Sequence, residues 1–147
     1  MTRFATSVAA VLSLGAPLCA APAAYAADLP GSVYEENDGS VCGDAWVLNR
    51  ITHRFRYQVR HVPNLPDVGI VDFRGIRQNR TLPASETWPI ERHYCRASVA
   101  LSDGHDRSIF YLVERGQGFA SMGDNVEFCV SGFDRWMVYN GRCRVLR

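Results

Sequence analysis

Lysine is absent from this chain of 147 residues: all 16 basic residues are arginine. Two readings compete for that fact. Guanidinium recognises anions through a planar bidentate fork that ammonium lacks, while the codons of a GC-rich genome favour Arg and Ala over Lys, in keeping with the alanine-rich N-terminus. The 16 cations face 15 carboxylates, so no broad field for nucleic acid is indicated.

Long apolar runs are missing as well. A membrane-spanning helix needs roughly 17 to 25 apolar residues; Ala5 to Ala16 is shorter and mostly alanine, and Pro17 and Pro22 follow it. No Cys-x-x-Cys or His-Glu-x-x-His occurs, and His53, His61, His93 and His105 are scattered, so no metal site is expected. Neither Ser121 nor Ser131 sits in a Gly-x-Ser-x-Gly elbow. Gly116-Gln117-Gly118 lacks the third glycine of a phosphate cradle, because Ser121 stands there. No cofactor is expected, and the sequon Asn79-Arg80-Thr81 is given no functional weight.

What is present begins with an export pattern. Arg3 supplies a positive start, the Ala5 to Ala16 run follows, and Ala24-Tyr25-Ala26 offers small residues at both positions read by a signal peptidase. Cleavage before Ala27 is expected, with residues 1–26 as signal peptide, 27–41 as a flexible lead-in and 42–147 as a single domain. The residues before Cys19, Ala16-Pro17-Leu18, do not suit lipid modification. Losing Cys19 turns five cysteines into four: Cys42, Cys95, Cys129 and Cys143. In an oxidising compartment an even count favours two disulfides. Three pairings are open; the favoured one joins Cys42 with Cys95 and Cys129 with Cys143, although a strand between the last two would carry them about 9 to 10 Å apart and out of reach.

The lead-in holds Pro30-Gly31 and the acidic run Glu35-Glu36-Asn37-Asp38, a composition that buries little apolar surface. Asp44 is a good N-cap, and Trp46, Val47, Leu48, Ile51 and Phe55 recur at helical spacing. A helix from Ala45 is expected, continuing to about Arg60, although Phe55, Tyr57, Val59 and His61 also alternate as in a strand. Val68 to Arg74 is rich in β-formers, and Asn79 to Pro89 reads as a loop. His93 to Leu101 and Arg107 to Glu114 predict a hairpin around Ser102 to Asp106, and Val126 to Val130 a further strand. Asn140-Gly141 predicts a second hairpin, pairing Trp136 to Tyr139 with Arg142 to Leu146. The fold class is therefore α+β: one N-terminal amphipathic helix packed on a curled antiparallel β-sheet, stapled by disulfides.

Glu91-Arg92-His93-Tyr94-Cys95-Arg96-Ala97, Leu101-Ser102-Asp103-Gly104 and the run from Gly123 to Trp136 resemble small exported proteins of alphaproteobacteria. The resemblance covers most of the mature chain. It implies bacterial origin, a periplasmic location and a compact disulfide-bonded domain, and it assigns no catalytic residue.

One cluster carries a binding chemistry. Arg50, His53, Arg54 and Arg60 share a polar helix face without a carboxylate among them, a strip suited to an anionic partner unless nearby Asp and Glu neutralise it. The functional expectation is a periplasmic or secreted, non-enzymatic domain that binds a protein or envelope partner, with no nucleic acid and no stable membrane span in the mature chain. A hydrolase inhibitor presenting Gly116 to Asp124 is one form of it. The alternative is a small periplasmic enzyme using His93 or His105 with a carboxylate such as Asp106, the loop Asp103-Gly104-His105-Asp106 otherwise being a polar turn.

Overall fold

The computed structural model describes residues 40–118 and 122–147. The expected signal peptide, Cys19 and the expected lead-in up to residue 39 lie outside the described residues. Val41, assigned to that lead-in, is buried and opens a 3-10 turn, Val41–Gly43.

Helix α1 spans Ala45–His61. Asp44 starts it through its backbone carbonyl, which accepts from the amides of Val47 and Leu48 at 2.9 and 3.2 Å. Its carboxylate instead takes the indole N–H of Trp46 at 3.2 Å. Val47, Ile51, Phe55 and Val59, each four residues on, form the buried stripe; full burial of such side chains stabilises by about 1.5 to 3 kcal/mol apiece. Helical spacing thus prevails over strand alternation at Phe55 to His61, and Tyr57 and His61 stack on the outer surface with ring centroids 3.8 Å apart. Pro63 ends the helix, because the residue before a proline is pushed out of the α region, and Val62 is extended at φ −89° and ψ 118°.

Four antiparallel strands follow in sheet order β1-β2-β3-β4: β1 Ile70–Leu82, β2 Arg92–Leu101, β3 Asp106–Glu114 and β4 Asn125–Val130. The β2–β3 hairpin turns at Gly104, whose φ of 80° suits glycine, and Asp103 Oδ1 accepts the His105 amide at 3.0 Å. Strand β1 runs well past Arg74, so the expected loop begins only at Pro83. Its irregular pattern reflects register shifts at Ile70/Asp72, Arg74/Arg77 and Gln78/Arg80, which break the period-2 alternation that marks a strand. Gly75 takes the positive φ, 58°, within the second shift.

The stripe of α1 packs against Cys95, Ala97, Val99 and Leu101 of β2, Ile109, Tyr111 and Val113 of β3, and Val126 and Val130 of β4. Phe133 joins this core edge-on to Phe55, 4.9 Å between ring centroids. Tyr111 satisfies its buried hydroxyl by donating to the Cys42 carbonyl at 2.8 Å. A smaller cluster, Leu112, Cys129, Cys143 and Leu146 with Phe110, Tyr94 and Tyr139, lies on the opposite face. The tail from Gly132 therefore passes from the helix side of the sheet at Phe133 to the other side at Cys143 and Leu146.

The expected C-terminal hairpin is not formed. Asn140 and Gly141 do adopt left-handed φ values of 57° and 64°, but Arg142 and Cys143 continue the left-handed run at 49° and 57°. Two residues in that conformation turn a hairpin; four coil the chain. Hydrogen bonds three residues apart replace a ladder, Asn140 to Met137 at 2.9 Å and Leu146 to Cys143 at 3.2 Å, and the chain closes in a 3-10 turn, Arg144–Leu146. Trp136, Val138 and Val145, which a two-residue turn at Asn140-Gly141 would set on one face of the hairpin, are 65%, 67% and 57% exposed.

Two disulfides join Cys42 to Cys95 and Cys129 to Cys143, with Cα separations of 5.7 and 5.5 Å. With no strand between β4 and Cys143, the obstacle to the second bond disappears. The first ties the entry of α1 to β2. The second holds the left-handed tail, where each non-glycine residue costs about 1 to 2 kcal/mol. By loop entropy, bonds spanning 53 and 14 residues stabilise the fold by about 4 and about 3 kcal/mol. Among the described residues no helix is long and apolar enough to cross a membrane.

Replacing Cys129 and Cys143 together with Ser should leave helix and sheet intact by circular dichroism while trypsin cuts after Arg135, Arg142 and Arg144 about tenfold faster. Replacing Cys42 and Cys95 should lower the melting midpoint by about 10 °C or more. A tail that stays resistant in the first variant would show that the left-handed run stands without its bond.

Candidate binding groove

Among the described residues no fifth strand pairs with the outer edge of β4, so its outward carbonyls need other donors. Helix α1 caps one of them, and the carbonyls flanking the strand, from one row of side chains four residues apart. Arg50 donates to the Asp124 carbonyl at 2.6 Å, Arg54 to the Val126 carbonyl at 2.7 Å and Gln58 to the Phe133 carbonyl at 2.9 Å. Spacing of i, i+4 and i+8 on the helix thus meets positions 124 and 126 along the strand and the first turn of the tail. All four residues of the strip Arg50, His53, Arg54 and Arg60 are exposed; the structure engages Arg50 and Arg54 at this edge through main-chain oxygens. The absence of carboxylates among them has a local cause: their partners are main-chain oxygens.

Where α1 and the tail diverge beyond Arg54, a groove of about 430 Å³ opens. Tyr57 and Gln58 form one wall, Phe128 and Val130 of β4 the floor, and Phe133, Trp136, Val138 and Tyr139 the other wall. Trp136, Met137 and Val138 are consecutive and exposed at 65%, 71% and 67%, and Tyr57 across the groove is 61% exposed. Scattered single apolar residues are ordinary on a surface, but a consecutive run beside a cavity marks an interaction site. Asp134 positions this wall by accepting the Tyr139 amide on Oδ2 at 3.2 Å.

Tyr139 carries the electrostatic signature of the groove. Burial pushes its hydroxyl pKa above the usual 10, and the negative charges of Glu127 and Asp134 push the same way, against a smaller opposing pull from Arg54 and the Phe128 amide. The groove therefore presents a neutral phenol at physiological pH.

The histidine and carboxylate combinations lie elsewhere. His93 Nδ1 meets Gln78 Oε1 at 3.0 Å, and its Nε2 stands 3.4 Å from Glu91 Oε1 without hydrogen-bond geometry. Asp106 is opposite Ala100, seven residues along β2 from His93, about 23 Å at strand rise, and it pairs with Arg74 at 3.5 Å. A His93–Asp106 pair is thus corrected by the register, which puts the two at opposite ends of the sheet. His105 is exposed, with Nδ1 3.4 Å from Asp103, whose carboxyl the His105 amide holds below the usual range. No group of three potential metal ligands occurs among the described residues. The loop from Gly116 to Asp124 is fastened at its neck: Asp124 accepts the Gly116 amide and the Arg115 guanidinium, both at 2.9 Å. Residues 119–121 of that loop lie outside the described residues.

Sequence reasoning missed the groove because it assigned Trp136 to Tyr139 to a strand. The available signal was Trp-Met-Val, three consecutive apolar residues that no alternating strand would bury on one face.

A folded-state pKa raised above the unfolded one contributes stability that is complete below pH 10 and disappears as pH rises through the folded value. Titration followed by phenolate absorbance should show a tyrosine transition above pH 10 that is lost in Tyr139→Phe, and that variant should lose less stability than the parent in this alkaline range. A difference titration centred at or below 10 would remove the burial argument.

Comparison with models of protein families, with curated proteins and with solved structures finds no match to this chain.

Proposed function

We propose that this is an exported, non-enzymatic binding domain that receives apolar side chains of a protein partner in the groove between α1, β4 and the tail. The observation that carries the reading is the exposed run Trp136-Met137-Val138 beside an open cavity faced by Tyr57. Binding sites of this kind combine an apolar lining with a few fixed polar groups, here Gln58, Asp134 and the neutral Tyr139. Among the described residues no histidine, serine or free thiol lines the groove, which supports capture over turnover.

Export to the periplasm or beyond is part of the same proposal. It is supported by the signal-peptide pattern in residues 1–26, by two disulfides that an oxidising compartment maintains, and by the likeness to small exported alphaproteobacterial proteins. Hydrolase inhibition is the narrower form of the proposal, supported by the pinned neck of the Gly116 to Asp124 loop, which lowers the ordering cost of binding.

Selection of a displayed peptide library on the immobilised domain should enrich aromatic and aliphatic peptides. Trp136→Ala and Val138→Arg should each weaken them about tenfold or more without altering the circular dichroism spectrum. Peptides indifferent to both substitutions would refute the groove. Turnover of ester, phosphoester, peptide or glycoside substrates that His93→Ala abolishes would replace the binding reading with the enzymatic one.

A further inference from the structure

The face of the sheet opposite α1 is covered unevenly. Cys143 and Leu146 of the tail pack against Leu112 and Cys129 of β3 and β4, with Phe110 beside them, while Arg77 and Arg80 on β1 remain exposed. On β1 and β2 the register sets Arg77 directly opposite Arg96 and Arg80 opposite Tyr94. Phe110 follows Arg96 on β3 and carries the guanidinium of Arg147 at 4.9 Å from its ring centroid. Arg77, Arg96 and Arg147 thus form a row across three strands, with Arg80 alongside.

Like charges directly opposite on neighbouring strands repel, and the carboxylates of this face do not relieve them. Asp72 and Asp106 both pair with Arg74, at 3.1 and 3.5 Å, and Glu114 pairs with Arg92 at 3.0 Å. Among the described residues none of Arg77, Arg80, Arg96 and Arg147 has an ion-pair partner, and the buried Nε of Arg96 has no acceptor. A cross-strand arginine pair that no carboxylate of the described residues pairs with is a site that an anion completes. One guanidinium fork matches one planar carboxylate, but two forks from adjacent strands can share a tetrahedral oxyanion, whose oxygens point in more than one direction.

The source of that oxyanion follows from the surroundings. Overall charge is only +1, and the acidic pairs around Arg74 and Arg92 close both ends of the patch, which disfavours a continuous, densely charged phosphodiester chain. Arg80 sits 3.9 Å over the ring of Tyr94, so that ring offers no free face for a nucleobase. The exposed apolar run at Trp136 that would suit a membrane surface belongs to the groove and not to this patch. We propose that Arg77 and Arg96, flanked by Arg80 and Arg147, bind sulfate or phosphate monoester groups spaced along an acidic glycan, independently of the groove.

Chondroitin sulfate is the probe, with unsulfated chondroitin as its matched control. The sulfated chain should bind in a salt-dependent manner and the unsulfated one should not. Arg77→Gln with Arg96→Gln should weaken binding about tenfold or more, and Arg77→Lys with Arg96→Lys, which keeps charge but loses the forks, should weaken it nearly as much. Removing equal charge elsewhere, by Arg107→Gln with Arg142→Gln, should change it less than about threefold. The melting midpoint of the Arg77/Arg96 glutamine variant should not fall, since a repulsive pair has been removed. Equal binding of unsulfated chondroitin, equal losses in the two glutamine variants, or tighter Arg77-dependent binding to duplex DNA or phosphatidylglycerol vesicles would overturn the proposal.

Discussion

The outward carbonyls of β4 are the constraint on which the rest of the structure depends. A four-stranded meander leaves two edges, and each must be satisfied or defended. At β1 the edge is defended by charge and irregularity: Asp72, Arg74, Arg77 and Arg80 punctuate a strand with three register shifts. At β4 Arg54 of α1 satisfies the Val126 carbonyl, while Arg50 and Gln58 hold the carbonyls just outside the strand, Asp124 and Phe133. That solution fixes the rotation of the helix about its axis, because a row four residues apart can face the edge only if Val47, Ile51, Phe55 and Val59 face the core. Gln58, reaching one step further to Phe133, also fixes where the tail leaves the sheet. The groove is the space left where this row stops being able to follow a strand that has ended.

The tail solves a second problem, the bare face of β3 and β4. Phe110, Leu112 and Cys129 point away from α1 and need cover, and among the described residues the stretch after Val130 provides it. Those residues must cross the sheet edge, which uses Phe133 on one side and Cys143 and Leu146 on the other. Among the described residues no segment covers β1 in the same way, and Arg77 and Arg80 stay exposed. The exposed Trp136 to Val138 run occupies the bend between the two faces. Both candidate surfaces are therefore consequences of a small sheet covered by one helix and one short tail.

Legibility in the sequence followed the range of the interaction concerned. Helix α1, the β2–β3 hairpin and β4 were readable because 3.6- and 2-residue periodicities are local. Strand β1 was readable only to Arg74, since register shifts at Gly75 and Asn79 erase the alternation that the eye seeks. The tail failed more instructively. Asn140-Gly141 did take the backbone angles that the dipeptide favours, but whether such a turn begins a hairpin depends on the next two residues, and Cys143 is held by a bond to a strand that local signals cannot report. The Arg50 to Arg60 strip was visible as charge, while the acceptors of Arg50 and Arg54, main-chain oxygens 74 and 72 residues away, have no side-chain signature at all.

The missing lysines gain a sharper meaning from these placements. Codon composition would explain why a basic residue here is written as arginine, but it requires nothing of where the guanidinium goes. Arg50 and Arg54 seal a strand edge, Arg92 and Arg74 close ion pairs with Glu114 and Asp106, and Arg80 and Arg147 lie over aromatic rings. Each use draws on properties of the planar group: directed N–H donors or a flat cation that stacks. Once these are assigned, Arg77 and Arg96 stand out as the cross-strand pair that has neither carboxylate, carbonyl nor ring among the described residues, placed opposite each other on the face away from α1. A composition bias can supply arginines, but it does not account for the placing of that pair, whose mutual repulsion an anion would relieve.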